Sequence, residues 1–356
     1  MNFEIETENT KKKKEKKKSQ KIYMYLMFGL LGLTFLLLII YFMQGGNSKG
    51  KETPKQPTQK QQQELVIVDE KSNQRPIAVV IDNAIGDIRH AGLQHSYINY
   101  EFIVEGGLTR ILALYKDVEI SIVGPVRSAR DYFLDYALEH DAIFAHYGWS
   151  PQAEKDISSL KVDNINGMKD TAPFARDKNL QSPHNVFTST KKIRDFLADK
   201  GYSNTTDNWK VLNYSIDEVS LEKQENVAQT NKVVIQYSNS EYRTYSYDNS
   251  NKYYLRSQNG KAQLDRKTEK QLNFKNIIIM KVENKSIDKE DRQSLTTVGT
   301  GKGYYITNGY AVPINWSKSS RTAKTKYTYE NGEEIKVNDG NTFIQVVPLS
   351  GKITIE

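Results

Sequence analysis

Residues Gly124–His146 read GPVRSARDYFLDYALEHDAIFAH. Glycine and proline open a loop, and Ser128 and Asp131 have the S-x-x-D spacing of a capping box. The apolar residues Tyr132, Phe133, Tyr136, Ala137 and Leu138 follow at helical spacing, so a helix is expected from about residue 129 to near His140. Ala142–His146 then resumes as a buried strand. Upstream, Ile77–Ile81 is a short continuous apolar run rich in β-branched residues that ends at Asp82-Asn83, the pattern of a buried strand entering a loop. Tyr100–Val104 and Leu108–Tyr115, separated by Glu105-Gly106-Gly107, read as two strands joined by a glycine turn, or with only one of the runs a strand. Downstream, Ser150 as N-cap with Pro151 at the first helical position starts a helix to about Leu160. A third helix is expected over Thr190–Asp199, stopped by Gly201. Strand, loop, helix and strand in succession predict an α/β ectodomain over residues 65–212.

Beyond that point helical periodicity disappears. Strand-like runs rich in tyrosine and β-branched residues recur at Val233–Tyr237, Tyr242–Tyr247, Tyr253–Arg256, Ile277–Val282, Tyr304–Thr307, Lys326–Tyr329, Glu334–Val337 and Phe343–Val347. Asp248–Asn251 and Asn331-Gly332 supply hairpin turns, and Gly301-Lys302-Gly303 reads as a turn between strands. Residues 213–356 are thus expected to form a small mainly-β C-terminal domain.

The N-terminal part has a different character. Ile22–Met43 is 22 residues without a charge, long enough at about 1.5 Å per residue to cross a hydrocarbon core of about 30 Å, and is expected to be a transmembrane helix. A cleaved signal peptide would need small residues where Tyr41-Phe42-Met43-Gln44 stands. Residues 1–21 hold eight Lys against four Glu, a basic tail that orients the N-terminus to the cytoplasm and the rest outside the cell. Residues 44–64 carry no large apolar residue and read as a flexible linker. The expected location is the cell membrane, single-pass, with an extracytoplasmic ectodomain.

The 356 residues include no cysteine, which excludes disulfides, thiolate metal sites, cysteine nucleophiles and lipid anchoring through a cysteine. The formal charge is +7, but the tail supplies +4, the linker +2 and the apolar run 22–43 nothing, so the 292 residues from 65 to 356 carry about +1. A nearly neutral body does not fit a protein whose folded surface grips nucleic acid, and no nucleic-acid partner is expected.

All five histidines, His90, His95, His140, His146 and His184, fall in the α/β part. No two stand at i, i+2 or i, i+4, so no metal site is assigned, and the cofactor stays unknown. The nucleophile elbow, the metalloprotease H-E-x-x-H, the phosphate loop and the dinucleotide fingerprint are all missing. The candidate ligand-binding set is Arg127, Ser128 and Arg130 at the expected helix start, where free N–H groups and forked guanidiniums suit phosphate or carboxylate oxygens. The alternative is that both arginines pair internally with Asp82, Glu101 or Glu105. Asp82 and His146, at expected carboxyl ends of strands, are the candidate catalytic residues, each with a structural alternative. Glu101, Glu105 and Arg110 either line the same site or form a buried ion network. His184-Asn185, after Ser182-Pro183, is a further polar pair able to approach the centre.

Several of these segments in order resemble the bacterial YerB-type lipoprotein family: Arg75–Asn83, Tyr100-Glu101, Glu105–Arg110, Gly124–Arg130 and Ala142–Pro151, then Gly301–Tyr305, Trp316–Lys318, Asn331-Gly332 and Gln345–Pro348. The resemblance covers about residues 65–350 and implies an extracytoplasmic two-domain protein of Gram-positive-type bacteria, a domain of unknown function with no assigned activity. Members are often lipid-anchored through a cysteine, which this chain lacks. A more limited likeness is to the LytR-CpsA-Psr phosphotransferases. It rests on a single membrane helix, an external α/β domain, an Asp after an early strand and Pro-x-Arg with a second Arg at a helix start. Those enzymes move wall polymers from polyprenyl pyrophosphate carriers and hold the pyrophosphate with arginines. Asp82, Arg127 and Arg130 match, but the spacing differs and the rest does not align.

These readings converge on a membrane-anchored cell-envelope protein that binds an anionic envelope ligand, such as a polymer or lipid-linked group, or a wall-synthesis protein. One alternative is a phosphoryl-transfer or hydrolytic enzyme acting on a lipid-linked pyrophosphate, and another is a structural scaffold. An enzyme needs Asp82 or His146 beside the two arginines in an open pocket, whereas a scaffold buries the arginines in ion pairs.

Overall fold

Ile77–Asp82 is buried along its whole length and lies between two other strands, and its first five residues, Ile77–Ile81, are apolar at every position rather than at alternate ones. The structure, a computed structural model, describes residues 64–84 and 90–356, together with 24, 25, 27, 29–34, 36, 37, 39 and 40. In chain order the strands that matter are β1 (Ile77–Asp82), β2 (Ile98–Ile103), β3 (Thr109–Tyr115), β4 (Ile143–His146) and β5 (Asn164–Asn166). They are followed by β6 (Lys232–Gln236), β7 (Tyr242–Asp248), β8 (Tyr253–Gln258), β9 (Asn276–Val282) and β10 (Gly299–Thr307). The last are β11 (Tyr310–Lys318), β12 (Lys326–Tyr329), β13 (Thr342–Pro348) and β14 (Ile353–Ile355). The helices are α1 (Asp131–Glu139), α2 (Pro151–Ser159), α3 (Thr190–Asp195) and α4 (Leu197–Lys200).

One sheet of 11 strands runs β12-β11-β10-β9-β13-β2-β3-β1-β4-β5, with Ala228–Gln229 pairing on β11. β1 is antiparallel to β3 and parallel to β4, and β4 is parallel to β5. A second sheet of six strands holds β8-β7-β6-β14, flanked by Lys261–Ala262 and Asn273–Phe274. The sequence-based division at residues 212 and 213 therefore does not separate two cores. An α/β N-terminal part and a mainly-β C-terminal part are both present, but β13 from the second inserts beside β2 of the first, parallel to it, from Ile98 opposite Thr342 to Phe102 opposite Val346. Gln63–Glu356 is one compact unit.

Four local expectations are corrected. Ser128 and Asp131 do not form a capping box. Ser128 Oγ donates to Tyr147 O at 2.9 Å, and Ala129 pairs by backbone with Gly148 and Ser150, so the chain stays extended until Arg130, the actual N-cap. The third helix is broken at Phe196 into α3 and α4 before Gly201 closes it with φ 68°. Gly301-Lys302-Gly303 is no turn but lies inside β10, because Trp316 covers Gly301 and a Cβ on Gly303 would stand 1.8 Å from Ile279 O. The expected run Glu334–Val337 shrinks to the pair Val337-Asn338. Ser150 does cap α2, accepting from Ala153 N, with Pro151 at its first position.

The basic tail 1–21 lies outside the described residues, as does the linker 44–64 except for Glu64. Within Ile22–Met43 the described residues are helical, with Leu30 and Tyr25 about 70% and 69% exposed. Among the described residues no helix is long and apolar enough to cross a membrane.

Candidate functional site

The parallel strands β1, β4 and β5 end on one side at Asp82, His146 and Asn166, the edge at which open α/β sheets hold ligands. An extended segment crosses this edge. Asp82 N donates to Pro125 O at 2.8 Å, Arg127 N to Val80 O at 2.9 Å, and Tyr147 N to Arg127 O at 2.9 Å. The peptide bonds before Pro125 and Pro183 are both cis. The Gly124–Ala129 stretch is thus laid between the end of β1 and the loop after β4, which places the Arg127 side chain over the Asp82 carboxylate.

That carboxylate is buried, its side chain only 1% exposed, and each oxygen is engaged. Oδ1 accepts from Ala84 N at 3.0 Å, and Oδ2 lies 2.5 Å from His184 Nδ1 and 3.1 Å from Arg127 Nε. The Arg127 N–H is not aimed at this oxygen, so Nε is buried without a hydrogen-bond partner among the described residues, and the guanidinium reaches only Pro183 O, at 3.4 Å. The side chains of Arg127 and His184 are 18% and 20% exposed, so the aspartate is the floor and these two form the accessible rim.

Beside this trio lies a second one. Arg130 forks onto Glu105 at 2.5 and 2.6 Å, and Arg110 places Nη2 3.9 Å from Glu105 while donating to Ser128 O at 2.7 Å. Arg110 is opposite Asp82 in the β1–β3 register, which connects the two groups. Burial lowers the Arg110 pKa, and the neighbouring Arg130 and Arg127 lower it further, to about 10. Burial raises the Glu105 carboxyl, but its hydrogen bond and ion pair with Arg130 outweigh that and bring it below its usual value. Three guanidiniums thus face two carboxylates, leaving one positive charge in excess.

The other sequence candidates go elsewhere. His146 is fully buried and uses both ring nitrogens, on Gly148 O at 2.8 Å and Asn164 Oδ1 at 3.2 Å. Burial pulls its pKa down to about 4, so it is neutral and structural and shares no hydrogen bond or ion pair with Asp82 among the described residues. Ser128 contributes its carbonyl to the arginines and its hydroxyl to Tyr147 O. Glu101 parts from Glu105 altogether. It lies at the centre of a buried network with Arg243 at 2.6 Å, Arg256 at 2.6 Å, Thr109 at 2.7 Å, Asn83 at 2.8 Å and Gln345 at 3.0 Å. Burial pushes its carboxyl up, but Arg243 and Arg256 more than offset this and hold it at about 2. His184 is the site residue that the sequence offered only as a loop neighbour. Arg243 and Arg256 were missed, although alternation puts them in phase with the inward Tyr245 and Tyr254. Among the described residues no group of three or more His, Cys, Asp or Glu is placed to hold a metal.

Two family models match the chain: the N-terminal domain of a protein of unknown function (DUF3048) over residues 64–203, and the corresponding C-terminal domain over 233–344. A Bacillus subtilis (strain 168) protein named Putative lipoprotein YerB is 32% identical over 282 residues, covering 78% of this chain and 82% of that protein. This chain belongs to the YerB family. The crystal structure of YerB from Bacillus subtilis matches it with a TM-score of 0.69 at 30% identity, over 79% of this chain and 94% of that one. The YerB-type resemblance read from residues 65–350 is thereby established, with the family's N- and C-terminal parts meeting in the one large sheet.

Proposed function

We propose that this YerB-family protein is held at the outer face of the cell membrane and binds an anionic envelope ligand of the phosphate type through Arg127, with Arg110 and Arg130 supplying the surrounding field. The single observation behind this is the unbalanced cluster: three guanidiniums against two carboxylates, with Arg127 partly exposed and its Nε without a hydrogen-bond partner among the described residues. A pure scaffold would neutralise its cations, as the buried network does where Glu101 and Glu241 together offset Arg243 and Arg256. The name of the Bacillus relative speaks of a lipoprotein; a cysteine-borne lipid would need a residue this chain does not have, and Ile22–Met43 takes that place as a single-pass anchor. A wall polymer or lipid-linked phosphate supplies the anion, and a wall-synthesis protein is the alternative partner at the same surface.

Calorimetric titration of the full-length protein in detergent with inorganic pyrophosphate and a short prenyl pyrophosphate tests the reading. Saturable binding that weakens at least tenfold in Arg127→Ala is expected, from the loss of a charge-assisted contact of about 1.5–3 kcal/mol. Absence of binding by the folded protein overturns it. Retention of the protein in membranes after an alkaline carbonate wash, and its release when residues 22–43 are deleted, tests the anchor.

A further inference from the structure

The Asp82 carboxylate is nearly inaccessible, so whatever it does it does through the two groups on its Oδ2. One of these, His184, comes from a loop 102 positions further along the chain, reached through the cis bond to Pro183, and lies 2.5 Å away through Nδ1. A neutral imidazole with its Nδ1–H donated to a carboxylate carries the lone pair on Nε2. His184 Nε2 makes no hydrogen bond among the described residues, and the ring belongs to the accessible rim together with Arg127. His90 and His146 differ: each is fully enclosed, with both nitrogens occupied.

We infer that His184 and Asp82 form an acid–base dyad that hydrolyses a phosphodiester bound at Arg127, a step that rests on the anion-binding reading above. The single excess positive charge of the cluster matches the single negative charge of a diester. His184 Nε2 takes a proton from a water as the water oxygen bonds to phosphorus. The P–O bond to one alcohol breaks, and that alkoxide receives the proton back from Nε2, giving a phosphomonoester and a free alcohol. Arg127 balances charge on the non-bridging oxygens. Asp82 is a positioning residue: it fixes the tautomer and the ring orientation and stabilises the imidazolium that forms.

The test is release of 4-nitrophenolate from bis(4-nitrophenyl) phosphate by the full-length protein in detergent, beside calorimetric binding of the non-hydrolysed dimethyl phosphate. Turnover above buffer is expected, with kcat falling at least 100-fold in His184→Asn while KM stays within threefold. Added imidazole should restore part of the rate to His184→Ala, and Asp82→Asn should shift the pH profile of kcat. Binding of dimethyl phosphate without turnover, or full turnover in both folded His184 variants, overturns the dyad and leaves the anion site standing. No binding by the wild-type protein overturns both.

Discussion

Glu101 shows how a single residue can carry a charge inside a fold. Its carboxylate has no exposure, yet both oxygens are covered by guanidiniums and neutral donors, so the desolvation penalty is met by at least five contacts. Removing the charge from one side leaves Arg243 and Arg256 buried with a missing anion. Glu101→Gln is therefore expected to lower stability by about 3–5 kcal/mol, read as a reduced urea midpoint, with Arg127→Ala at the accessible rim well under half of that. The histidines set the acid limit. Burial lowers His90, His140 and His146 each to about 4 from an ordinary 6.5, so each is neutral when folded and takes up a proton on unfolding. Their stabilisation is complete above pH 6.5 and is lost as the pH falls toward 4, with a slope of up to about 1.4 kcal/mol per pH unit for each. Glu101, depressed from 4.5 to about 2, extends the loss below pH 4.5 in the same direction. A urea midpoint that stayed level from pH 7.5 to 4.5 would contradict these three neutral histidines.

At the scale of elements, the strands were legible in the sequence where local pattern and tertiary environment agree. Ile77–Ile81 and Lys326–Tyr329 emerged within a residue of their observed bounds, and the Ser150-Pro151 helix start was read correctly because the cap is a local interaction. The site was legible in part: the end of the Ile77–Ile81 run and the Gly124–Arg130 loop singled out Asp82, Arg127 and Arg130, of which the structure pairs Asp82 with Arg127 and Arg130 with Glu105. It was not legible in the destination of Glu101, since the even spacing to Glu105 fails where the chain leaves β2 and enters the turn at Glu105–Gly107. Long-range backbone pairing likewise overrode the local cap at Ser128, and β10 was cut short because glycine, a turn signal locally, is demanded there by close neighbours. That demand can be measured. Gly303→Ala puts a methyl group into Ile279 O and separates β9 from β10, so it is expected to prevent folding or lower the thermal midpoint by more than 10 °C, while Lys302→Ala, on the exposed face of the same strand, leaves it within 2 °C. Equal midpoints for the two variants would mean that the strands are not packed as closely as this.

For the whole molecule, the decisive feature is that the two family parts share both a sheet and their buried charges. β13 fills the space between β2 and β9, Glu101 of the first part is neutralised by Arg243 and Arg256 of the second, and Glu139 of the first is paired at 2.7 Å with the buried Lys318 of the second. Cutting the chain near residue 212 would leave β2 as an open apolar edge and strand two buried carboxylates without cations, costs that neither piece has contacts to offset. Residues 64–212 and 213–356 produced separately are therefore expected to be unfolded or aggregated, and residues 64–356 to unfold in one cooperative step. The three tryptophans allow this to be followed from different places: Trp149 caps the site edge beside His146, Trp209 packs under Lys116 and Tyr97, and Trp316 lies in β11 with its indole on Lys281 O. Variants that retain one tryptophan each, with phenylalanine at the other two positions, should give urea transitions whose fluorescence midpoints coincide with one another and with the far-ultraviolet circular dichroism of the same variant. A Trp316 transition displaced by more than about 0.5 M from that of Trp149, after correction for each variant's own stability, would show that the shared sheet does not couple the two parts, and that the division at residue 212 marks a boundary of folding as well as of family.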